Sequence, residues 1–415
     1  MRIAIIGCGT AGAASALLLS RDGHDVTVFE RVAEPKPVGA GIMMQPSGLM
    51  VLSALGCVDP VLARGARVDR LLAETPSGAR VLDLAYAALG SDLYGVGLHR
   101  GVLFDTLLSA VRASSATLAC GVGISRVVFG PGSTRVLVTE AAERIGPFEL
   151  VVVCDGARSH VRDAMHDVTK RVERYPWGAL WFVGSDREGQ YEGVLHQKVR
   201  GTRAMVGMLP TGLGPDGQDV RHTSLFFSVR GDELERWRAG GVDAWKQHVR
   251  TIAPEAEALL AQIDAFDQLT FATYFDVTMP RWHAPGVVFL GDAAHATSPQ
   301  LGQGCNLALC DADALAVALR SSASVGEALE RYSAERRAHL DFYQLATRWL
   351  TPFFQSDLTP LAWVRDALMR RAGWLPYAER EMVRSMCGTK TGIFSGSMRT
   401  EMPARAPVEA PTSLT

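Results

Sequence analysis

Apolar positions open the chain without alternation, as Arg2-Ile3-Ala4-Ile5-Ile6. Such a run predicts a strand buried on both faces of a parallel sheet. Gly7-Cys8-Gly9-Thr10-Ala11-Gly12 follows at once, and AGAASALLLSRDG then has helical composition up to Gly23, a fitting C-cap. DVTVFE alternates as a second strand ending at Glu30. A Pro/Gly-rich loop comes next and turns helical in its second half. Residues 66–99 read as a short β excursion, and HRGVLFDTLLSAVRAS as an amphipathic helix with Arg100 at its start. The stretch to residue 159 reads as a β-meander returning to the first sheet. Over 174–275, segments such as GALWFVG, RAMVGMLP and HTSLFFSV alternate between Gly-rich turns, with one helix near 231–252. That pattern predicts an antiparallel sheet inserted into the first domain. GVVFLGDAAHATSPQLGQGCNLALCDADALAVALR returns to strand, loop and helix, and the remainder is mostly helical to about residue 385. No internal repeat is present.

Length and composition narrow the class. At 415 residues the chain exceeds one ordinary core, so two domains, or one with a large insertion, are expected. Hydrophobic content of 47% with 21% charged residues suits a globular protein. A net charge of −2 supplies no electrostatic case for nucleic acid or an anionic membrane surface. The seven cysteines form neither a CxxC pair nor a Cys/His cluster, which points to a reducing cytoplasm and to no metal site. The opening resembles an export signal, even to Cys8 placed as in a lipoprotein. Yet too few residues precede Cys8 for an apolar h-region, and Gly7, Gly9 and Gly12 break the run. The stretch is expected to stay and fold. No other apolar run reaches the ~18 residues of a membrane span.

The glycine hexad has a chemical reading. Gly7 makes the tight turn, Gly9 lets backbone approach a pyrophosphate, and Gly12 lets helix and strand pack closely. The helix N-terminus offers free N–H groups and positive dipole to phosphates. Glu30, 18 residues past Gly12, is placed to accept hydrogen bonds from a ribose diol and would repel a 2′-phosphate, which selects FAD or NAD over NADP. A GxGxxG alone is weak evidence. With a strand before it, a helix and strand after it and an acid at the end, it predicts dinucleotide binding.

Three motifs in order carry a family resemblance. They are the GxGxxG with Glu30-Arg31, the run Cys154-Asp155-Gly156-Ala157-Arg158-Ser159 with Arg162, and Gly291-Asp292-Ala293-Ala294-His295. Pro299 and Gly302-Gln303-Gly304-Cys305-Asn306 fit as well. Over about residues 1–345 the sequence resembles the FAD-dependent monooxygenases of the para-hydroxybenzoate hydroxylase type, nearer the salicylate-hydroxylase-like members. The resemblance implies an α/β fold: a Rossmann-like FAD-binding domain with an inserted antiparallel β-sheet substrate domain and a helical C-terminal region. The boundaries expected are 1–70, 97–173 and 276–345 for the FAD domain, 71–96 and 174–275 for the substrate domain, 346–390 for C-terminal helices and 391–415 for a disordered tail.

The same resemblance assigns FAD contacts to Gly7, Gly9, Thr10, Ala11, Gly12, Glu30, Arg31, Arg100, Ile124 (by its backbone), Asp155, Asp292, Pro299, Gly302, Gly304, Cys305 and Asn306. Asp292 would bond the ribityl chain, with a helix N-cap as its bland alternative. Backbone at Gly304, Cys305 and Asn306 would face the isoalloxazine, where a helix N-terminus steadies the charge of reduced flavin. Arg100 is either a flavin contact or a solvated helix-end cation. NADH or NADPH would reduce the flavin from a shallow groove, since no second fingerprint exists. Arg158 and Arg162 would touch phosphates there or pair with neighbouring carboxylates. His295 reads as support for the flavin loop rather than a proton-transfer group.

A substrate pocket is expected under the inserted sheet, roofed by the 40–46 loop, with Met43, Gln45, Trp181, His196, Lys198, Met205, Phe226 and Tyr274 as candidates. Hydroxylation of a phenol by a flavin C4a-hydroperoxide calls for a base, and His196 has a suitable intrinsic pKa. Alternation places His196 and Lys198 on one side of their strand and leaves open which side is inward. The implied activity is NAD(P)H-dependent hydroxylation, with O2, of an aromatic or heteroaromatic small molecule by a soluble monomer or homodimer. The alternatives are N-hydroxylation, epoxidation, or FAD binding without hydroxylation. The Trp-x-Trp-x-Ile-Pro signature of flavin halogenases is missing. Trp349, Phe353 and Phe354 are expected to pack on the body or at a dimer contact.

Overall fold

The computed structural model describes residues 1–37, 39–165, 168, 170–372, 376–393, 396–398 and 402. Its first sheet has six strands. Arg2–Ile6 lies at the centre between Asp25–Glu30 and Leu150–Val153, followed outward by Thr117–Cys120 on one side and Val287–Phe289 then His283–Ala284 on the other. All neighbours are parallel except the last pair. The reason is visible in the residues: Ile3, Ile5, Val151, Val152 and Val288 are buried from both faces, as an unbroken apolar run requires. Helix Thr10–Arg21 packs between Arg100–Ala113 and Gly304–Arg320. A three-stranded antiparallel sheet, Ile124–Phe129, Arg135–Thr139 and Arg144–Phe148, projects between Thr117–Cys120 and Leu150–Val153.

The larger sheet follows the order Thr270–Thr278, Arg171–Ser185, Arg221–Arg230, Ala204–Leu213, Gly193–Arg200, Ala66–Glu74, Gly95–His99, Gly41–Met44, with Arg80–Ala85 paired on Ala66–Glu74. The 40–46 segment is therefore not a loop roof; Gly41–Met44 is an edge strand of this sheet, antiparallel to Gly95–His99. The expected helix near 231–252 is two helices, Leu234–Gly240 and Val242–Arg250, split where Gly241 takes φ +82°.

Period-two alternation gives this sheet two apolar faces. Val206, Met208, Leu225 and Phe227 point to the helices that carry Trp245, Val249 and Leu259, and to Ile263 just beyond them. Leu195, Val199, Met205, Leu209 and Phe226 point the other way, towards Met43 and the end of the long helix Val325–Phe354. Phe354 is buried there and Phe353 and Leu350 pack beside it, whereas Trp349 stands 74% exposed. Beyond helix Pro376–Met386 the chain is not a free tail at once, because Lys390 bridges to Ser397 and the Met398 N–H donates to Thr389 O. Of the expected tail 391–415, residues 394–395, 399–401 and 403–415 lie outside the described residues.

Candidate active site

The glycine hexad does structural work at two positions and leaves space at a third. Gly7 has φ +93°, and a Cβ there would meet Cys154 O at 2.6 Å. A Cβ on Gly12 would lie 1.9 Å from Gly7 O, so the first helical turn can sit on the strand only without a side chain. Gly9 is exposed, and nothing stands within 4 Å of where its Cβ would be. Helix Thr10–Arg21 begins on Gly9 with no side-chain cap, so its first N–H groups face this gap. Glu30 closes the turn: Oε2 accepts from Cys8 N–H and Oε1 from Val32 N–H, both at 2.9 Å. That clamp is a structural task for Glu30 which the motif alone did not reveal. Arg31 is exposed beside it, and the buried Ile124 pairs with Thr139, which leaves only its backbone for a ligand.

Three distant segments meet at one corner. Gly291, at φ +59°, is tight enough that a Cβ would lie 3.3 Å from both Ala11 Cβ and Ala308 Cβ. Asp292 follows, exposed, with Oδ1 3.9 Å from the position a Cβ on Gly304 would take. Among the described residues no hydrogen bond or ion pair holds this carboxylate. Gly302 turns left-handed at φ +61°, beyond the exposed Pro299, and helix Gly304–Arg320 starts after Gln303 with no side-chain cap. The first intrahelical bond is Leu307 N–H to Gln303 O, which leaves the N–H groups of Gly304, Cys305 and Asn306 outside the ladder. The Asn306 side chain is spent on structure: Nδ2 donates to Met43 O at 3.0 Å and Oδ1 accepts from Gln45 N–H at 2.9 Å. Burial pushes the Cys305 thiol up to about 11 against the pull of the Arg100 charge. Arg100 itself is exposed, with its stem against Gly39.

Asp155 borders the same corner, its Cα 3.1 Å from the position a Cβ on Gly7 would take. Burial lifts its carboxyl above the ordinary value, and Oδ1 is buried with no hydrogen-bond partner among the described residues. Arg162 takes the protein-facing alternative: it is fully buried, donates to Ala293 O and Ala157 O at 3.0 Å each, and pairs with Asp163. Arg158 is exposed and, among the described residues, pairs with no carboxylate; it donates to Thr273 Oγ1 at 3.1 Å over the Phe275 ring.

Behind Asp292 lies a buried polar network that sequence reading missed except for His295. Asp311 is fully buried and accepts from Gly291 N–H at 2.9 Å, His295 Nε2 at 2.5 Å and Arg336 Nε at 2.8 Å. Burial opposes its ionisation, but the charges of His295 and Arg336 and the hydrogen bonds from His295 and Gly291 N–H outweigh that and hold it at about 2. A clue was present: Asp311 is one of three polar residues, with Asn306 and Asp313, in the mostly apolar CNLALCDADALAVAL helix.

The pocket candidates divide by face. Met43, Met205 and Phe226 share one apolar cluster with Trp181 against it, the Trp181 and Phe226 rings 4.9 Å apart. Trp181 Nε1 donates to Tyr274 Oη at 3.2 Å. Gln45 is buried and accepts from Tyr86 Oη, a residue not foreseen. The cluster touches the corner, since a Cβ on Gly302 would be 3.9 Å from Met43 Cβ. His196 and Lys198 do not belong to it, which corrects their assignment to the pocket and that of His196 as base. They pair in register with Met208 and Val206, on the opposite, helix-covered face. There His196 Nε2 meets Glu74 at 3.1 Å, and Lys198 meets Glu74 and Glu255 at 3.0 Å each. Burial opposes the charge on Glu74, yet hydrogen bonds from Lys198 and His196 hold its carboxyl below the usual value.

The corner thus fits a flavin dinucleotide: an open Gly9, an unpaired exposed carboxylate, an unpartnered buried Asp155 oxygen and two uncapped helix starts. Comparison with known proteins agrees. Residues 1–115 and 132–342 match the family model described as FAD binding domain. A 3-amino-4-hydroxybenzoate 2-monooxygenase of Streptomyces cremeus is 30% identical over 391 residues, covering 89% of this chain and 92% of the relative. A 2-heptyl-3-hydroxy-4(1H)-quinolone synthase of Pseudomonas aeruginosa is 26% identical over 402 residues, covering 94% and 99%. Among solved structures, Klebsiella pneumoniae HpxO complexed with FAD and uric acid superposes with a TM-score of 0.76 at 20% identity, over 93% of this chain and 96% of that one.

Proposed function

Since this chain belongs to the FAD-binding family of aromatic monooxygenases, we propose that it uses NADH or NADPH and O2 to hydroxylate an aromatic or heteroaromatic small molecule. The observation that carries the reading is the convergence of Gly9, Asp292 and the Gly304 helix start on one open corner that abuts the apolar face of Met43, Met205, Phe226 and Trp181. Bound there, FAD supplies electron acceptance from the nicotinamide and activation of oxygen. The protein's part is to bind, orient and keep dry. Gly9 and the Thr10 helix start receive the pyrophosphate, Glu30 the adenosine ribose and Asp292 the ribityl hydroxyls. The N–H groups of Gly304 and Cys305 offset negative charge on the reduced ring.

Tyr274 is the polar handle of the apolar face. The Trp181 indole N–H can only donate, so the Tyr274 oxygen accepts it and the phenol proton remains free for a substrate oxygen or nitrogen. Burial raises the Tyr274 phenol, which keeps it protonated at neutral pH. We place the reductant on the surface near Arg158. There a cavity of about 390 Å³ is lined by Arg174, Tyr175, Trp177, Arg230, Phe271 and Thr273. Arg158 borders it through Thr273, so cations stand next to planar side chains that suit an anionic nucleotide. Among the described residues no helix is long and apolar enough to cross a membrane, and the seven cysteines are all unpaired, which supports a cytoplasmic enzyme. The test is NAD(P)H consumption by the purified yellow protein across a panel of aromatic compounds. Stimulation by at least one, with an oxygenated product, is expected; reduction of flavin that never responds to any organic compound refutes hydroxylation.

A further inference from the structure

The start of Gly304–Arg320 has no side-chain cap, and the residue before it is tied to the far end of the chain. Gln303 leaves its helix uncapped and sends Nε2 to Met386 O at 2.8 Å. Ser47 N–H, two residues past Gln45, donates to Cys387 O at 3.2 Å. Gly388, at φ +78°, sits so close that a Cβ would come within 2.1 Å of Ser47 Oγ and 2.8 Å of Gln303 Oε1. The C-terminal segment therefore presses on both sides of the corner at once.

A chain of bonds runs from this segment through the protein to the Gly291 N–H, next to Asp292. His339 Nε2 meets Gly388 O at 2.9 Å, and His339 Nδ1 meets Arg336 at 2.5 Å. A guanidinium only donates, so Nδ1 is the acceptor and Nε2 carries the hydrogen given to Gly388 O. Arg336 Nε then donates to Asp311, which accepts from the Gly291 N–H directly before Asp292. Arg336 also reaches Leu307 O, in the first turn of the same helix, at 3.4 Å. His339, Arg336 and Asp311 are all buried.

We propose that Arg336 and His339 are positioning residues that hold the Gly291–Asp292 turn and the first turn of Gly304–Arg320 in register with the C-terminal segment 381–390, so that the flavin's seat is complete only when that segment is docked. The proposal rests on the reading of the corner as the FAD seat. It differs from plain core stability in what it moves. A structural role alone would lower the unfolding midpoint and leave the folded protein's affinity for FAD untouched.

The experiment compares wild type, His339→Phe and His339→Gln, each stripped of flavin and titrated with FAD by fluorescence quenching. The flavin midpoint potential and the urea unfolding of the same preparations are measured alongside. Phenylalanine removes both bonds, whereas the glutamine amide can accept from Arg336 and donate to Gly388 O. Expected are about tenfold weaker FAD binding and a displaced potential in His339→Phe, with His339→Gln within about threefold of wild type. His339→Phe that folds and binds FAD as wild type does, at the same potential, overturns the proposal, as does His339→Gln as weak as His339→Phe. If His339→Phe does not fold, Gln303→Leu cuts another of the segment's contacts, that to Met386 O, and decides by the same two results. A wild type that takes up no FAD overturns the functional reading as well; a wild type that binds it beside an equally competent His339→Phe overturns this proposal alone.

Discussion

Replacing Asp292 by alanine separates binding from folding more cleanly than any other single change. The side chain is exposed, and no described residue holds its carboxylate. In the free protein it contributes only through its place in the first turn of Asp292–His295, where a carboxylate is worth about 0.3–1 kcal/mol against the helix dipole. Flavin-free protein should therefore lose no more than about 2 °C in Tm. With FAD present, the variant gives up a charge-assisted hydrogen bond to the ribityl chain, worth about 1.5–3 kcal/mol. At about 1.4 kcal/mol per decade, the dissociation constant should rise roughly ten- to hundredfold. Scanning fluorimetry of the flavin-free protein and an FAD titration monitored by flavin fluorescence measure the two quantities on one preparation. An FAD affinity within about threefold of wild type, or a Tm loss as large as the binding loss implies, would refute the argument: Asp292 would then be a helix-end residue and not a ligand.

The other expectations concern the apolar face and the buried network. Tyr274→Phe should leave FAD binding unchanged, strand the Trp181 N–H, and lower kcat/KM for the substrate about five- to thirtyfold, a loss of about 1–2 kcal/mol; steady-state kinetics at saturating reductant checks it. His196→Ala should leave the yield of oxygenated product per NAD(P)H intact, because His196 faces Glu74 and Glu255 on the covered side; a collapse of that yield in product assays would restore it to the pocket. Acid should destabilise the protein through His339. Burial, and then the Arg336 charge, push this imidazole from about 6.5 down to about 3. The unfolded chain thus binds one more proton than the folded one between those values. The stability His339 contributes is whole above pH 6.5 and is lost as pH falls towards 3, at about 1.4 kcal/mol per pH unit within the window. Urea midpoints at pH 7 and pH 5 should differ accordingly, and His339→Gln should flatten that part of the profile.

What the sequence made legible was whatever depends on near neighbours along the chain. The spacing of Gly7, Gly9, Gly12 and Glu30 encodes a strand, a turn and a helix start, because a turn's backbone angles are set by the residues within it. Asp292 was legible for a similar reason, standing at the end of an apolar strand. His196 was not, and the cause is physical. Both faces of its sheet are covered, so alternation labels two sides without marking either as inward. The network failed for another reason: Asp311 and Arg336 are 25 residues apart, and Gln303 meets Met386 across 83. Nothing local in either sequence signals such a partner. Glu30 lies between the cases, since its place was foreseen and its clamp on Cys8 N–H was not.

The claim on which the rest depends is that Gly9, Asp292 and the Gly304 helix start form a single seat for one flavin. Calorimetric titration of flavin-free wild-type protein with FAD tests it most directly. The account requires saturable binding at one FAD per chain that restores the yellow holoprotein. Absence of heat and of colour at saturating FAD, or binding that Gly9→Trp leaves unaltered although the side chain would occupy the gap, would contradict it.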